Sequence, residues 1–120
     1  MGLDHLDIVL MHDAEEYVKE AIENAFPVLA EYRSQGLIKA VGIGINQTEQ
    51  ALQIMEGTDL DIVLIAGRYS LLDQISHHKL FPYALARNID ISVGGVLNSG
   101  VLANPVAGAT YNYLPASDEI

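Results

Sequence analysis

His12 is the residue that the sequence places best for chemistry. It directly follows Leu6 to Met11, a short apolar run that is β-branched at its centre and has no glycine or proline. Such a run is typical of a strand buried on both faces of a parallel sheet. Active sites of parallel α/β folds collect at the C-terminal ends of strands, so an imidazole there is placed to meet a substrate. The alternative interpretation is a histidine near the surface without a chemical role.

The loop after the last strand-like run is a second candidate. It reads Gly94-Gly95-Val96-Leu97-Asn98-Ser99-Gly100 and is rich in small residues that let a ligand approach the backbone. An ordinary connecting loop has the same kind of composition, because a glycine-rich segment alone is weak evidence for a site. The sequence leaves both interpretations open.

The remaining polar clusters predict no site. His77 and His78 are adjacent, so they point in different directions on a helix, and no cysteine or spaced set of His, Asp and Glu joins them. We therefore expect no metal ion. His5 precedes the first strand, on the side of such a sheet that serves stability. The pair Glu15-Glu16 favours a helix N-terminus and needs no catalytic role.

The strand that leads to His12 is one of four. Leu6-Asp7-Ile8-Val9-Leu10 recurs almost letter for letter as Leu60-Asp61-Ile62-Val63-Leu64. Lys39 to Ile45 and Ile89 to Val93 have the same apolar, strand-like character. Each gap is long enough for a helix, which predicts a β-α-β-α-β-α-β chain with right-handed crossovers.

Helix boundaries follow from capping residues and prolines. In the first gap Asp13 is the expected N-cap, and Pro27 is expected to separate an irregular helix over 14–24 from a packed helix over 26–35, with Gly36 as terminator. Thr48 is expected to cap a helix over about 49–56.

The later helices and the tail follow the same signals. Gly57 is expected to end the second helix, and the third runs from Leu80 to Arg87 with Asn88 as a left-handed terminator. The tail has no clear periodicity, although Ser117 to Glu119 resembles a helix start.

Composition narrows the class of protein. The 120 residues suit one small domain, and half of them are apolar. A net charge of −10 repels phosphate backbones, so we expect no nucleic-acid partner. No run is apolar enough for a membrane span, and we expect no signal peptide, because the first residues lack a basic segment followed by an apolar one. Cysteine is absent, which fits a cytoplasmic protein.

Five segments of the chain, taken in order, follow the pattern of a known family. They are Leu3 to His12, Gly36 to Gly44, Arg68 to Asp73, Asn98 to Ala103 and Gly108 to Tyr113. Together they resemble the aldo-keto reductase family, in particular its aldose, L-fucose and pyridoxal dehydrogenases. The resemblance implies an α/β fold that is a partial (β/α)8 TIM barrel, with four parallel strands and three intervening helices. Residues 1–120 would then be a single segment covering about the fourth to seventh strands of the barrel, without a complete domain.

The resemblance also implies a chemistry. The family members are NAD(P)-dependent oxidoreductases, here of aldoses or other small carbonyl and alcohol substrates, so the implied cofactor is NAD or NADP. His12 resembles the histidine that donates a hydrogen bond to the substrate oxygen. Asn46 resembles the asparagine that holds the nicotinamide carboxamide. Asn98, Ser99 and Gly100 resemble a loop whose backbone N–H groups contact the pyrophosphate.

The chain also departs from the family pattern. The tyrosine, lysine and aspartate that complete the family's proton-transfer group belong to segments preceding residue 1. Ala66 stands where the family has a glutamine on the carboxamide, and Gly94 stands where it has a ring under the nicotinamide. We therefore expect the 120 residues alone to be inactive.

Two alternatives remain from the sequence. One is a non-catalytic half-barrel that functions through association, and the other is a self-contained flavodoxin-like binding domain. A half-barrel exposes both edge strands and one apolar face, so we expect it to self-associate if the chain is free. The side chains expected on that face are Ile8, Leu10, Val41, Ile43, Ile62 and Leu64.

Overall fold

The main sheet has four parallel strands whose order in space is their order in sequence. The computed structural model describes residues 2–117 and 119–120. The strands are β1 (Leu6–His12), β2 (Ile38–Ile45), β3 (Ile62–Ala66) and β4 (Asp90–Gly94), arranged β1-β2-β3-β4. A flavodoxin-like sheet reverses its strand order at a switch point, whereas barrel strands follow one another. The predicted four-stranded half-barrel is confirmed, and the flavodoxin-like arrangement is wrong.

The connection from β1 to β2 is one unbroken helical segment. It consists of α1 (Val18–Glu20), a π-helical turn (Ala21–Ala25) and α2 (Phe26–Ser34). The packed helix predicted over 26–35 forms as α2, and the helical segment before it is irregular as predicted, but the separation expected between them is absent. Pro27 lacks an N–H and its ring crowds the preceding turn, and the wider π turn accommodates both defects without ending the helix. Asp13 is not the N-cap: it has φ 51°, and Tyr17 occupies the cap position.

The end of α2 forms as predicted. Gly36 has φ 75°, its N–H bonds the Arg33 carbonyl at 3.0 Å, and the Leu37 N–H bonds the Tyr32 carbonyl at 3.0 Å. These two bonds satisfy carbonyls that the helix leaves unpaired, which is the Schellman arrangement. The turn aims the chain directly into β2.

The helix between β2 and β3 is α3 (Thr48–Gly57). Thr48 was expected to be the N-cap of α3, but it is the first helical residue, and Gln47 occupies the cap position. The Thr48 hydroxyl bonds the buried Ser76 hydroxyl at 3.0 Å instead of capping the helix. Gly57 lies inside the helix rather than after it. A Cβ there would approach Ile22 Cδ1 to 2.8 Å, so glycine serves close packing of the two helices.

Two helices precede β4. The short α4 (Ile75–His78) was not predicted, whereas α5 (Leu80–Arg87) and the left-handed Asn88 at φ 56° were. After β4 come a 3-10 turn (Asn98–Gly100) and a hairpin of β5 (Thr110–Tyr111) and β6 (Leu114–Pro115). The helix start expected at Ser117 to Glu119 includes Asp118, which lies outside the described residues.

Helices pack on one face of the four-stranded sheet, and the other face is exposed. Ile54, Met55 and Leu80 of the helices are fully buried together with alternate residues of the strands. The strand residues on this covered face are Val41, Ile43, Ile45, Val63 and Ile65. The other face is open, and Ile8 on it is 53% exposed.

The register assigns the side chains of the open face. Leu10 pairs with Gly42 and Gly42 pairs with Ile62, so these positions point the same way. A Cβ on Gly42 would collide with the Ile62 carbonyl oxygen and with Leu10 Cδ2, because both neighbours fold over the glycine. Ile8, Leu10, Ile62 and Leu64 lie on the open face as expected. The placement of Val41 and Ile43 there is wrong, because they belong to the helix-covered face.

Candidate functional site

The C-terminal edge of the sheet carries the candidate site in two separate parts. His12 is the last residue of β1 and pairs with Gly44. Its ring lies against that glycine, since a Cβ on Gly44 would sit 2.9 Å from His12 Cδ2. His12 Nδ1 is 3.0 Å from the Asp13 carboxylate, and both side chains are 70% exposed. The imidazole is thus oriented by its neighbours while it remains open to solvent.

The backbone of Asp13 is also hydrogen-bonded to β2. Its N–H donates to the Gly44 carbonyl at 2.9 Å, which extends the β1–β2 ladder by one bond past the strand. The left-handed φ of 51° turns the chain away from the sheet at this residue. With Nδ1 directed at the carboxylate, Nε2 is the imidazole nitrogen available to a ligand. His12 borders a shallow depression together with Met11, Ala14, Tyr17 and Asn24.

The second part is a cleft of about 370 Å³ over the ends of β3 and β4. Its floor consists of Ala66, Gly67 and Gly95, so a flat group can approach the backbone there. Asn46, Asn98 and Ser99 line it together, whereas His12 and Gly100 do not. The structure therefore gathers three of the five residues expected at the site. The full lining is Asn46, Ala66, Gly67, Arg68, Gly95, Asn98, Ser99, Thr110, Asn112 and Tyr113.

Asn46 is fixed by its backbone. Its N–H donates to the Glu15 carboxylate at 3.2 Å, and its carbonyl accepts from Arg68 Nε at 2.7 Å. Glu15 was expected only to favour a helix start, but its carboxylate secures the end of β2. Among the described residues nothing hydrogen-bonds the Asn46 side-chain amide, which leaves that group for a ligand.

Arg68 is the residue of the cleft that sequence reasoning missed. Its side chain is 17% exposed, and Nη1 lies 3.3 Å from the Asp73 carboxylate and 3.3 Å from Asn112 Oδ1. With its bond to the Asn46 carbonyl, it joins the end of β2 to the loop after β3 and to the hairpin. The available signal was a cation directly after an apolar strand, at the edge where sites form.

Asn98 carries the least satisfied polar group of the cleft. The residue is 3% exposed, and its Nδ2 donates to the Gly67 carbonyl at 3.4 Å. Oδ1 is buried and has no hydrogen-bond partner among the described residues. A buried acceptor left unpaired costs roughly 1–3 kcal/mol, so such groups mark places for a ligand or an ordered water.

The hairpin covers the cleft from the side of the tail. Thr110 Oγ1 donates to the Ser99 carbonyl at 3.0 Å, and the Tyr113 N–H donates to Ser99 Oγ at 3.4 Å. Asn112 and Tyr113 have φ of 48° and 66°, the left-handed pair of a type I′ turn. This hairpin was not predicted from the sequence, because a tyrosine is unusual at a position with positive φ.

The described residues also set limits on the site. None of their helices is long and apolar enough to cross a bilayer. Residues 2–117 and 119–120 contain no group of three or more His, Cys, Asp or Glu side chains that could hold a metal ion.

Consecutive parallel strands in spatial order, with a polar cleft at their C-terminal ends, define part of a (β/α) barrel. The chain belongs to the aldo/keto reductase family, whose family model matches residues 1–112. The resemblance inferred from the sequence is thereby confirmed.

Curated relatives match the chain over its whole length. It is 34% identical to D-threo-aldose 1-dehydrogenase of a Pseudomonas species over 123 aligned residues, covering 100% of this chain and 37% of the relative. It is 36% identical to pyridoxal 4-dehydrogenase of Microbacterium luteolum, covering 100% of this chain and 38% of that protein. The chain thus spans well under half the length of these relatives.

Solved structures agree on the fold. A Pseudomonas aeruginosa protein assigned to the aldo-keto reductases matches with a TM-score of 0.65 and 27% identity, over 81% of this chain and 36% of that one. The glycerol dehydrogenase of Gluconobacter oxydans matches with a TM-score of 0.59 over 98% of this chain and 34% of that one. At 18% identity, the second match speaks for the fold alone.

Proposed function

We propose that this chain forms the nicotinamide-side portion of an NAD(P)-dependent oxidoreductase that acts on an aldose or another small carbonyl or alcohol compound. The observation that carries the proposal is the cleft over β3 and β4, in a chain of this family, with a small-residue floor and an Asn46 side-chain amide that no described residue hydrogen-bonds. Such a cleft favours a flat polar ligand over a bulky apolar one.

The residues present fit a nicotinamide cofactor. Ala66, Gly67 and Gly95 leave the floor clear for a ring, while the Asn46 side-chain amide offers hydrogen bonds beside it. In the loop of Asn98, Ser99 and Gly100 the N–H groups of Asn98 and Gly100 donate to the Gly95 and Leu97 carbonyls at 2.9 and 3.0 Å. Among the described residues this leaves the Ser99 N–H for a phosphate. When bound, a nicotinamide supplies or accepts the hydride.

His12 has a different task in this proposal. It binds the substrate oxygen through Nε2 while Asp13 holds Nδ1, so the ring keeps one orientation at the end of β1. Fixing the substrate oxygen in this way positions the reacting carbon, which lowers the entropy lost on reaching the transition state.

The names of the relatives support the substrate class. One is named for D-threo-aldoses, one for pyridoxal, and a third, from Escherichia coli and 28% identical over 96% of this chain and 34% of its own length, for methylglyoxal. These compounds share a small polar skeleton with a carbonyl or an oxidisable hydroxyl group. We extend that shared chemistry, and no single substrate, to this chain.

Titration of the full 120-residue protein with NAD⁺ and NADP⁺, followed by ¹H–¹⁵N NMR, tests the proposal. We expect the amide signals of Gly67, Gly95 and the Asn46 side chain to shift, and ADP-ribose, which lacks the nicotinamide, to leave them unchanged. We expect no turnover of aldoses, because the family's general acid–base groups belong to other strands of the barrel. Such groups typically accelerate a reaction ~10²–10⁴-fold. Dinucleotide binding outside the cleft, or none at millimolar concentration, would reject it.

A second candidate function is association through the open sheet face. Ile8 is 53% exposed there, and Leu10, Ile62 and Leu64 continue the same apolar surface. We expect the free chain to self-associate, and Ile8→Lys to reduce the association measured by light scattering. Leu71→Lys is the matched control, since Leu71 is 85% exposed on a loop and should leave association unchanged. A wild-type chain that remains monomeric at micromolar concentration contradicts this candidate.

A further inference from the structure

Asn46 lies at the point where β2 has ended and α3 has not yet begun. It follows Ile45, the last residue of the strand, and precedes Gln47, the N-cap of the helix. Both of its backbone polar groups are bonded to side chains. The N–H donates to Glu15 Oε1 at 3.2 Å, and the carbonyl accepts from Arg68 Nε at 2.7 Å. A carboxylate and a guanidinium therefore fix the backbone of this residue through charge-assisted hydrogen bonds.

The Glu15 carboxylate stands where a backbone carbonyl would continue the β1–β2 ladder. The Asp13 N–H donates to the Gly44 carbonyl at 2.9 Å. In a parallel ladder the next bond would run from the N–H two residues further along β2, which is that of Asn46, to the Asp13 carbonyl. Asp13 turns the chain away from the sheet with φ 51°, and the Asn46 N–H donates to Glu15 instead. A side chain thus supplies the acceptor for one further bond of the ladder.

Glu15 belongs to the same short segment as His12. Asp13 lies between them, and its carboxylate is 3.0 Å from His12 Nδ1. The segment therefore orients His12 through Asp13 and Asn46 through Glu15. Since His12 and Asn46 belong to the two separate parts of the candidate site, one turn of the chain sets the position of one part relative to the other.

The orientation of the Asn46 backbone matters for ligand binding. The residue lines the cleft, and no described residue hydrogen-bonds its side-chain amide, so the direction of that amide depends on the backbone that carries it. When only a fraction of the molecules has the binding-competent conformation, the apparent affinity for the ligand falls by that fraction. A backbone held in one orientation before the ligand arrives avoids this loss.

We propose that Glu15 is a positioning residue, whose carboxylate replaces a ladder carbonyl and holds Asn46 in the orientation that binds the dinucleotide. This inference rests on the proposed function, because it takes the cleft to be the dinucleotide site. What the role requires is an acceptor oxygen at the end of the side chain, which the amide of a glutamine also provides.

Three variants of residue 15 in the full 120-residue protein test this role. Glu15→Ala removes the acceptor. Glu15→Asp keeps the charge but withdraws the oxygens by one methylene group, and it guards against a folding defect in the alanine variant. Glu15→Gln keeps an acceptor oxygen at the original reach. Glu16→Ala is the matched control, since Glu16 is the exposed neighbour with the same charge.

Each protein is titrated with NAD⁺ by NMR, with the amide of Gly95 as the reporter. We expect Glu15→Ala and Glu15→Asp to bind about tenfold more weakly than the wild type, which is the usual effect of losing one hydrogen bond. Glu15→Gln should lie within about threefold of the wild type, because it loses only the charge of the acceptor. Glu16→Ala should bind as the wild type does.

Hydrogen exchange of the Asn46 N–H without ligand separates a positioning role from a merely structural one. This amide should exchange about tenfold faster in Glu15→Ala and Glu15→Asp, and Glu15→Gln should restore slow exchange. Faster exchange with unchanged NAD⁺ affinity would show that Glu15 only secures the end of β2. That result, unchanged exchange, or an affinity loss that Glu15→Gln does not reverse overturns the positioning role and leaves the proposed function intact. Failure of the wild type to bind NAD⁺ overturns both.

Discussion

Nη1 of Arg68 lies 3.3 Å from Oδ1 of Asn112, so the end of β3 is joined to a hairpin turn 44 residues further along the chain. The same guanidinium bonds the Asn46 carbonyl and the Asp73 carboxylate. Arg68 therefore fixes both the floor and the cover of the cleft. Its fork of donors is suited to this, because one planar group bonds three acceptors at once.

Replacing Arg68 by methionine should loosen the hairpin while the sheet stays folded. Hydrogen bonds to a charged group typically contribute roughly 1.5–3 kcal/mol to stability, and we expect less here because the bonds are long and the cleft is open. The hairpin amides of the variant should therefore exchange about 5- to 10-fold faster than those of the wild type. Hydrogen exchange at Tyr113 is the measurement. Arg87→Met is the control, since Arg87 bonds Tyr83 on the surface of α5. Unchanged exchange in Arg68→Met would show that the hairpin is held by other contacts.

Gly44→Ala should displace the ring of His12. A Cβ at this position would sit 2.9 Å from His12 Cδ2, closer than carbon atoms approach. The imidazole signals in a ¹H–¹³C spectrum should move, whereas Gly94→Ala should leave them in place, because its Cβ comes only to 3.3 Å from the flexible end of Leu64. Unmoved imidazole signals in Gly44→Ala would mean that the ring does not rest on Gly44.

The buried hydroxyl pair of Thr48 and Ser76 should show strong coupling. Ser76 is fully buried, and its Oγ lies 3.0 Å from Thr48 Oγ1. Thr48→Val strands the serine hydroxyl and should cost about 1–3 kcal/mol in the free energy of unfolding, whereas adding Ser76→Ala should restore part of it. Urea unfolding of the two single variants and the double variant measures the coupling. Strictly additive losses would rule it out.

Two ion pairs at the other end of the sheet should differ in their effect on stability. Arg33 is 21% exposed and bonds Asp61 at 2.6 Å, while the same Asp61 oxygen accepts the Val41 N–H at 2.8 Å. The hydrogen bond that Arg33 donates to Asp61 raises the pKa of Arg33 above its ordinary value, so the guanidinium keeps its charge until the solution is strongly alkaline. Arg33→Met should lower the free energy of unfolding by roughly 1–2 kcal/mol.

Lys39→Met is the contrasting variant, because the Lys39–Asp7 pair is 67% and 73% exposed. Its unfolding midpoint should match the wild type. The Lys39 hydrogen bond, then its charge, holds the pKa of Asp7 below 3.8, so any stabilisation exists above that pH and is lost as the pH falls through the lowered value. NMR titration of Asp7 should show its pKa return upward in Lys39→Met. A large loss of stability in Lys39→Met, or none in Arg33→Met, would contradict the prediction that the Arg33–Asp61 pair stabilises the fold and the Lys39–Asp7 pair does not.

Local sequence was sufficient for features that depend on neighbouring residues alone. The four strands follow from short apolar, β-branched runs, and the ends of α2 and α5 follow from Gly36 and Asn88, which adopt positive φ at low cost. The family resemblance could also be recognised from the sequence, because the matching segments occur in order along the chain. These signals do not depend on the tertiary contacts between helices and strands.

The tertiary structure decided the features that depend on distant partners. Val41 and Ile43 pack under helices rather than on the open face, because strands that are apolar on both faces give no signal of which face is covered. Pro27 continues a helix through a π turn, and Thr48 bonds Ser76 rather than its own helix end. Asn98 and Arg68 became parts of one cleft only when β3, the loop after β4 and the hairpin met, since the hydrogen bonds that join them span 22 to 44 residues.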